Sequence, residues 1–336
     1  MKKVSITDIA KEAGVSVATV SRALNPKTEH LVKQATLEKI RKIIRESKYS
    51  PSRSARSLRH GFYRTIGLPM NFRTDTTSGY VGEIMRGILK GLDEIGYDLK
   101  LISQEEFLSL EALLDGAGVD GLIATHGYHV SYPHLEEELK NKKSFPLVIV
   151  NDYNPNLNVS QVYIDNYQAT AEMVRYALKK GSYNFCLICG EEDSRDARVR
   201  KKSFLDTVSA HNIVFDKSSI FNGHFSETGG YEAAKKIFAV NPVFRGTLFC
   251  LNDAMAIGVL RALGELGINC PKEVEVVGFD DIAISEHTNP PLTTVQVPLF
   301  EMGYQAVKLV YNTFTGESAG YKKIQFDYRL VPRESC

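Results

Sequence analysis

The sequence lacks the features of membrane-bound and secreted proteins. None of its apolar runs approaches the roughly 18 residues that a membrane-spanning helix needs. The N-terminal Met1-Lys-Lys is not followed by the apolar segment of a signal peptide. The five cysteines are odd in number and unevenly spread, which favours a reducing compartment over a disulfide framework. We therefore expect a cytoplasmic protein without a membrane partner.

The motifs of common enzyme classes are also missing. The sequence contains no P-loop, no G-x-S-x-G nucleophile elbow and no H-E-x-x-H zinc motif. The segment 116–121 fits the G-x-G-x-x-G pattern of dinucleotide-binding loops. However, it follows a predicted helix and precedes a predicted strand, which is the reverse of the order that this motif requires. We therefore predict a protein that is not an enzyme and that needs no cofactor.

Two groups of potential metal ligands are interpreted as structural. Cys186 and Cys189 have C-x-x-C spacing, but they lie within an apolar predicted strand and no second pair accompanies them. His126, His129 and His134 follow the end of a predicted strand. A metal site would need further ligands, so a loop is favoured, with His126 as a candidate for the rim of a ligand pocket. We predict no metal site.

The charge that is present is distributed unevenly. Residues 1–60 contain 14 lysines and arginines against 5 aspartates and glutamates, about +9, while the other residues contain 27 and 35, about −8. In the basic segment the cations alternate with regularly spaced apolar residues, which favours a folded module over a disordered tail. This distribution predicts that the basic N-terminal segment binds phosphate groups and that the acidic remainder of the chain does not.

Residues 5–25 predict two short helices that are separated at Gly14. Ser5 and Asp8 form a capping box for the first helix, and Ser16 can cap the second. The second helix offers only small or polar groups on one side: Ala18, Thr19, Ser21 and Arg22. Such a pair is typical of a helix-turn-helix, whose second helix enters the major groove of DNA, about 12 Å wide. The alternative is a helical hairpin with no role in nucleic-acid binding, which the basic charge disfavours.

The motif Asp8-Ile-Ala…Ala13-Gly14-Val15-Ser16…Thr19-Val20-Ser21-Arg22…Asn25 resembles the headpiece of the LacI/GalR (lactose-repressor/galactose-repressor) family of bacterial transcription regulators. The resemblance implies a headpiece over residues 1–49, and regularly spaced apolar residues predict its third helix at about 32–47. It also implies DNA contacts from a set of small and polar residues in the two helices: Ser5, Ser16, Val17, Ala18, Thr19, Ser21, Arg22 and Asn25.

Residues 50–64 form a segment rich in serine and arginine. By itself this composition is consistent with a flexible linker. The resemblance implies more: a hinge helix that becomes ordered in the minor groove of DNA. Leu58 then corresponds to the family's apolar wedge between base steps, and Ser54 and Ala55 are further contact residues.

From residue 65 onward, predicted strands alternate with predicted helices. Apolar runs predict strands at 65–69, 99–102, 121–124, 147–150, 185–189, 247–250 and 274–278. Helices are predicted at about 81–96, 106–115, 133–141, 168–180, 198–211, 228–239 and 254–266. This alternation predicts a doubly wound parallel α/β architecture, and the number of strands favours two subdomains with a cleft between them.

The resemblance implies that this core, residues 65–336, has the fold of periplasmic sugar-binding proteins and also forms the dimer. The chain would cross three times between an N-terminal subdomain, at about 65–165 and 293–324, and a C-terminal subdomain, at about 166–292 and 325–336. Ligands of such folds bind beyond the carboxyl ends of strands. Asp152, Asn252-Asp253 and the segment 278–281 occupy such positions.

The resemblance assigns an effector-binding role to seven residues: Tyr80, Asp152, Asp196, Arg200, Phe225, Asn252 and Asp280. Arg200 corresponds to the family's effector-binding arginine, although Ser203 stands where a glycine is usual, and Phe225 corresponds to an aromatic residue that stacks on the effector. Taken alone, Arg200 fits one face of a charged helix, and Asp280 and Asp281 fit helix caps. We do not interpret Asp281 as a ligand.

These observations predict a transcription regulator, most commonly a repressor in this family. It would bind a palindromic DNA operator as a homodimer under the allosteric control of a small, sugar-like effector. The alternative is a solute-binding protein without a DNA function, which would carry a signal peptide and lack the basic head. An enzyme of the cleft α/β type would require a catalytic pair in the cleft, and the sequence offers none.

Overall fold

The computed structural model describes residues 4–24, 28–47, 62–70, 79–103, 118–125, 139, 145–192, 194–317 and 320–336. The chain divides into two compact units, Met1–Tyr63 and Arg64–Cys336. Among the described residues, no helix is long and apolar enough to cross a bilayer.

The first unit contains the two predicted short helices and the third helix. Its elements are α1 (Ile6–Ala13), α2 (Val17–Ala23), a 3-10 turn (Glu29–Leu31) and α3 (Gln34–Glu46). The predicted capping box is present, since Ser5 accepts a hydrogen bond from the Asp8 amide while the Asp8 carboxylate accepts one from the Ser5 amide. Gly14 ends α1 with a φ of 69°, a conformation that glycine adopts without steric cost.

The helices of the first unit enclose a small apolar core. Ile9, Val20 and Ile40 come from the three different helices, and all three have 0% exposure. The predicted third helix begins at Gln34 rather than at residue 32, and Lys33 provides no side-chain cap. The helix-turn-helix geometry is therefore fixed by glycine at the turn, by serine caps and by a shared core.

The second unit alternates strands and helices, as predicted. Its helices are α4 (Gly79–Ile95), α5 (Asn166–Lys179), α6 (Arg195–Ala210), α7 (Glu227–Val240), α8 (Asp253–Leu266) and α9 (Leu299–Phe314). Its strands are β1 (Thr65–Met70), β2 (Asp98–Ser103), β3 (Gly121–Ala124), β4 (Leu147–Val150), β5 (Ser160–Ile164), β6 (Phe185–Cys189), β7 (Ile220–Asn222), β8 (Gly246–Cys250), β9 (Val274–Val277), β10 (Thr294–Gln296), β11 (Lys323–Phe326) and β12 (Arg329–Val331). The predicted helix at 106–115 lies outside the described residues, as does the one at 133–141 apart from residue 139.

Two parallel sheets define the two subdomains. The six-stranded sheet has the order β11-β5-β4-β3-β1-β2, and the four-stranded sheet has the order β7-β6-β8-β9. Neighbouring strands within both sheets are parallel. The central strands, such as β3, β4 and β6, are buried along their whole length, which explains why they appear in the sequence as short continuous apolar runs, whereas the edge strands β2, β7 and β11 are partly exposed.

The chain passes between the sheets after β5, through β10 and through β12. β10 and β12 pair with each other in an antiparallel ladder apart from both sheets. The predicted subdomain boundary at 324/325 falls inside β11, whose four residues all pair with β5 of the six-stranded sheet. We therefore place this boundary after Phe326.

Close packing of α4 against α9 fixes the position of the cleft wall. A Cβ atom added at Gly87 would lie 1.9 Å from the Phe300 carbonyl oxygen, and one added at Gly303 would lie 2.2 Å from that of Ile84. Only glycine therefore permits this approach of the two helices. The packing holds the N-terminus of α4, where Tyr80 lies, at the carboxyl end of the six-stranded sheet.

Candidate DNA-recognition helix and effector cleft

The predicted DNA-reading residues of α2 differ in their exposure. Ala18 and Arg22 are exposed, four residues apart on one face of the helix, while Val17, Thr19 and Ser21 are half-buried. Ser16 is exposed and accepts a hydrogen bond from the Thr19 amide at 3.1 Å. The exposed face of α2 is thus thin and carries one long cationic side chain.

Some of the predicted DNA contacts have a structural role or cannot be placed. Ser5 is engaged in its capping box, where its hydroxyl donates to the Asp8 carboxylate at 2.7 Å. Four further predicted residues lie outside the described residues: Asn25, Ser54, Ala55 and Leu58. Their proposed roles in base reading and minor-groove insertion remain predictions.

Arg200 lies at the centre of the second unit's cleft and is only 3% exposed. Its Nε donates to Asn166 Oδ1 at 2.8 Å, and its Nη1 donates to the Leu251 carbonyl oxygen at 2.6 Å. The guanidinium carbon lies 3.7 Å from the centre of the Phe279 ring, a cation–π contact. Arg200 therefore connects α6 to α5 and to the segments that follow β8 and β9.

Asp280 follows β9 in an unusual backbone conformation, with a φ of 115°. Its Oδ1 lies 3.6 Å from Arg200 Nη2 and makes no hydrogen bond with the described residues. Burial raises the pKa of this carboxyl well above its usual range; Arg200 opposes the rise, whereas Asp253 and Asp196 add to it. The carboxyl is thus buried and under-satisfied, so it favours the arrival of a hydrogen-bonding partner.

Two side chains of the N-terminal subdomain complete this polar group. The Tyr80 hydroxyl and the Asn151 side-chain amide are buried and lie close enough for Asn151 to lower the pKa of Tyr80, but neither makes a hydrogen bond of standard geometry with the described residues. Burial, and then the carboxylates of Asp196 and Asp280, raise the pKa of Tyr80 well above its usual value. Tyr80 therefore faces carboxylates of the opposite subdomain across the cleft.

Asn151 was not predicted from the sequence, which pointed to the adjacent Asp152. Asn151 directly follows β4 with a φ of 57° and has 0% exposure. The position after a strand was a usable signal, but the orientation of two adjacent polar residues depends on this local backbone. Asn166 and Phe279 were also missed, because their contacts with Arg200 become visible only in the fold.

The cleft is also bridged at its margin. Arg195, on the first turn of α6, places its Nε 3.7 Å from Asp152 Oδ1, which lies after β4 of the other subdomain. A Cβ atom added at Gly79 would lie 3.2 Å from Ile282 Cδ1. These contacts bring the two subdomains together beside the buried polar group.

Phe225 is held against Gly190 at the end of β6. A Cβ atom added at Gly190 would lie 2.0 Å from the Phe225 ring, and Phe225 itself has a φ of 53°. Asn252 donates to the Phe225 carbonyl oxygen at 3.2 Å and caps α8 by accepting from the Met255 amide at 2.9 Å. The described role of Asn252 is thus to cap a helix and to position Phe225.

Asp196 is buried on the first turn of α6, at 5% exposure, where the helix dipole favours a carboxylate. Its Oδ1 accepts a hydrogen bond from Asn166 Nδ2 at 3.4 Å. Asn166 therefore connects Asp196 with Arg200. The structure brings Tyr80, Asp196, Arg200 and Asp280 together, with Asp152 at the margin.

A separate open cavity of about 530 Å³ lies beside α6 in the C-terminal subdomain. Its walls combine apolar residues such as Leu205 and Phe221 with charged residues such as Lys201 and Glu192. Because Lys201 Nζ already lies 3.9 Å from Glu192 Oε1, these rim charges offset each other. None of the seven predicted effector residues lines this cavity.

Two family models match the chain: "Bacterial regulatory proteins, lacI family" over residues 5–52 and "Periplasmic binding protein-like domain" over residues 174–336. The HTH-type transcriptional repressor PurR of Haemophilus influenzae (strain PittEE) is 29% identical over 340 residues, covering 98% of this chain and 98% of that protein. The solved structure of the transcriptional regulator CelR in complex with cellobiose is 25% identical, with a TM-score of 0.71, and the match covers 99% of this chain and 100% of CelR.

The fold is also that of the Lac repressor. The crystal structure of the Lac repressor dimer bound to operator and the anti-inducer ONPF superposes with a TM-score of 0.81 at 24% identity, covering 99% of each chain. A lacI-type helix-turn-helix followed by a periplasmic-binding-protein-like core is thus matched along nearly the whole length. On these grounds the chain belongs to the LacI/GalR family of bacterial transcription regulators.

Proposed function

We propose that this regulator is a repressor that binds a palindromic operator as a homodimer and responds to a neutral, hydroxyl-rich effector held between its subdomains. The observation that carries the effector proposal is the group of under-satisfied buried polar atoms on Tyr80, Asn151 and Asp280. Buried polar groups normally have hydrogen-bond partners, so such a group points to a ligand.

The chemistry of the cleft favours a sugar or polyol. Tyr80 and Asn151 can both donate and accept hydrogen bonds, as can the Asp280 carboxyl, whose raised pKa favours the protonated form, and a hydroxyl-rich ligand satisfies all three. An anionic ligand would meet the buried carboxylates of Asp196 and Asp280, while Arg200 is already engaged by Asn166 and Leu251. CelR, a structural neighbour, was solved with cellobiose, which supports a carbohydrate.

The proposed DNA contact uses α2. Arg22 is exposed on its outer face beside Ala18, where a guanidinium can reach a guanine edge, worth about 1–3 kcal/mol of discrimination. Ala18 and Val17 are suited to thymine methyl groups or groove shape. A palindromic site requires two headpieces related by a twofold axis, and therefore a dimer.

The proposed dimer uses the outer surface of the N-terminal subdomain. Leu89 on α4 is 50% exposed, and Leu101 on β2 is 42% exposed. In the described sheet β2 is the last strand, beyond β1. A second copy of the chain that covers these side chains would bury them and would bring two headpieces to one duplex.

A ligand that prefers one state of the cleft changes operator affinity by the ratio of its affinities for the two states, typically worth about 1–3 kcal/mol. The proposal is tested by measuring the melting temperature of the full chain with neutral sugars and polyols, including cellobiose and ribose, and with their phosphate esters. We expect at least one neutral compound to raise the melting temperature, since a ligand at 100 times its Kd stabilises by about 2.7 kcal/mol.

The DNA part is tested by selecting duplexes from a random library with the full chain and with residues 61–336. We expect the full chain to enrich a palindrome and the shorter chain to enrich none. Stabilisation by phosphate esters but by no neutral compound would contradict the proposed effector class. A lack of enrichment by the full chain would contradict operator binding.

A further inference from the structure

Asp253 has a position that the proposed effector site does not use. It is the first residue of α8, directly after Asn252, and has 0% exposure. Its backbone amide donates to the Phe279 carbonyl oxygen at 2.8 Å. A fully buried carboxylate is costly unless it accepts several hydrogen bonds, so its partners indicate what it holds in place.

The two carboxylate oxygens of Asp253 bind different segments. Oδ2 accepts hydrogen bonds from the Ile282 amide at 3.0 Å and from the Ser285 hydroxyl at 2.6 Å, both in the segment that follows Asp280. Oδ1 accepts one from the Thr294 hydroxyl at 2.5 Å. Thr294 is the first residue of β10, through which the chain crosses between the subdomains.

The loop that carries Asp280 runs beside this crossover strand. The Gly278 amide donates to the Thr293 carbonyl oxygen at 2.9 Å, and the Asp280 amide donates to that of Val295 at 2.8 Å. The Val297 amide donates back to the Asp280 carbonyl oxygen at 3.2 Å. A Cβ atom added at Gly278 would lie 2.2 Å from Asp253 Oδ1, so the carboxylate packs directly against the backbone of this loop.

We infer that Asp253 is a positioning residue that locks the Asp280 loop to the crossover strand through Thr294, and so transmits a change at the effector site to the hinge between the subdomains. The inference rests on the proposed function, since it assigns the path by which that cleft would act. Asp253 itself does not belong to the under-satisfied polar group, because both of its carboxylate oxygens accept hydrogen bonds from the protein.

The test uses the full chain and the variant Thr294→Val, which removes the hydroxyl that reaches Asp253 while keeping a similar side-chain volume. Thr294→Ser restores a hydroxyl. Thr293→Val is the matched control: Thr293 is an adjacent threonine, also with 0% exposure, but its hydroxyl accepts from the Arg333 amide at 2.9 Å instead. The first readout is amide hydrogen exchange at Asp280 and Val297.

We expect exchange at these two amides to become at least about tenfold faster in Thr294→Val, because the loop and the strand separate more often. Thr294→Ser and Thr293→Val should leave it near the wild-type rate. The second readout is affinity for the palindromic duplex selected by the wild-type chain, which a purely structural role would not change in the folded protein. We expect the affinity for this duplex to change by about fivefold or more in Thr294→Val, and to stay unchanged in Thr294→Ser and Thr293→Val.

Equal exchange rates in Thr294→Val and Thr293→Val would overturn the inference. Faster exchange with unchanged duplex affinity would also overturn it, because the lock would then have no effect at the DNA. If the wild-type chain selects no duplex, the proposed function fails instead, and the exchange experiment alone decides whether Asp253 holds the crossover strand.

Discussion

At the scale of single residues, Asn151 combines a left-handed backbone with a buried, under-satisfied amide. Asparagine tolerates this backbone conformation better than most residues, but its buried polar atoms lose their bonds to water, which costs stability. The sheet and its helices compensate for this cost elsewhere. Such a combination is typical of a site that is prepared for a ligand rather than for maximal stability.

The substitution Asn151→Gly tests this interpretation. Glycine tolerates the backbone conformation and removes both buried polar atoms, so we expect the melting temperature to stay equal or to rise. We expect the affinity for the neutral compound found by thermal shift to fall at least about tenfold, the equivalent of one lost hydrogen bond of about 1.4 kcal/mol. Calorimetry measures the affinity.

The control for this substitution is Asn154→Ala in the same loop. Asn154 is also buried, but its Oδ1 accepts a hydrogen bond from the Asn156 amide at 3.0 Å. This variant should lose stability and keep its ligand affinity. A clear loss of stability in Asn151→Gly, without a change in ligand affinity, would show that Asn151 is structural.

Asp253 should give the protein a distinctive dependence of stability on pH. Burial raises the pKa of its carboxyl from 3.8 to about 6, although bonds from Ser285 and Thr294 oppose the rise. Because the folded-state pKa lies above the unfolded one, the folded state binds this proton more tightly. The contribution of Asp253 to the free energy of unfolding therefore falls as pH rises from about 4 to about 6, by about 3 kcal/mol.

Asp253→Asn removes this titration. Urea unfolding between pH 4 and pH 7 should show the variant gaining stability relative to wild type as pH rises. Asp216→Asn is the control: hydrogen bonds from Ser218 lower the pKa of Asp216 from 3.8, so its titration lies below this pH range and its stability difference from wild type should hardly change between pH 4 and pH 7. A stability difference between Asp253→Asn and wild type that is independent of pH would contradict the raised pKa.

At the scale of secondary structure elements, the sequence predicted many but not all of the apolar elements. The capping box of α1, the glycine turn and strands such as β3 and β4 were predicted at or near their observed bounds, because local chemistry and continuous apolar runs determine them. The three-residue strands β7, β10 and β12 were not predicted, since they are too short to show a period. β5 and β11 were also not predicted, since polar residues interrupt their apolar residues. α9 was also not predicted, although its apolar residues recur at helical spacing.

The sequence predicted the residues of the candidate site less completely than it predicted the secondary structure. Positions after strands identified Asp152 and Asp280, but sequence position alone could not show that the neighbouring Asn151 is also buried, at 0% exposure. Similarly, both polar atoms of the Asn252 side chain are engaged by the protein. Side-chain direction depends on φ values of single residues, which composition and periodicity do not reveal.

The contact between α4 and α9 gives a prediction for whole elements. Gly303→Ala would place a methyl group 2.2 Å from the Ile84 carbonyl oxygen, so the helices must separate. We expect a loss of about 1–3 kcal/mol or more in the free energy of unfolding. Gly264→Ala in α8 is the matched control, since nothing lies within 4 Å of its added Cβ atom, and it should stabilise by about 0.5–1 kcal/mol. Urea unfolding of both variants measures the two effects, and equal stabilities would contradict the close helix contact.

At the scale of the whole molecule, the proposed mechanism depends on two copies acting together. The basic headpiece provides salt-dependent attraction to phosphate, but a single short recognition helix contacts only half of a palindrome. Affinity for the complete site therefore depends on the association of the cores. The exposed Leu89 and Leu101 are the side chains that we propose to bury in that association.

The double substitution Leu89→Asp with Leu101→Asp should separate assembly from ligand binding. Two carboxylates in an apolar interface would remain unpaired, so the dimer should dissociate into monomers at micromolar concentration. Sedimentation velocity measures the assembly state. Affinity for the selected palindrome should fall at least about a hundredfold, while the effector cleft, formed within one chain, should keep its ligand affinity.

The control for this double variant is Val214→Asp, because Val214 is 99% exposed in the C-terminal subdomain. This substitution should leave both assembly and DNA binding unchanged. A double variant that sediments as a dimer and binds the palindrome as tightly as wild type would place the dimer interface on another surface of the core.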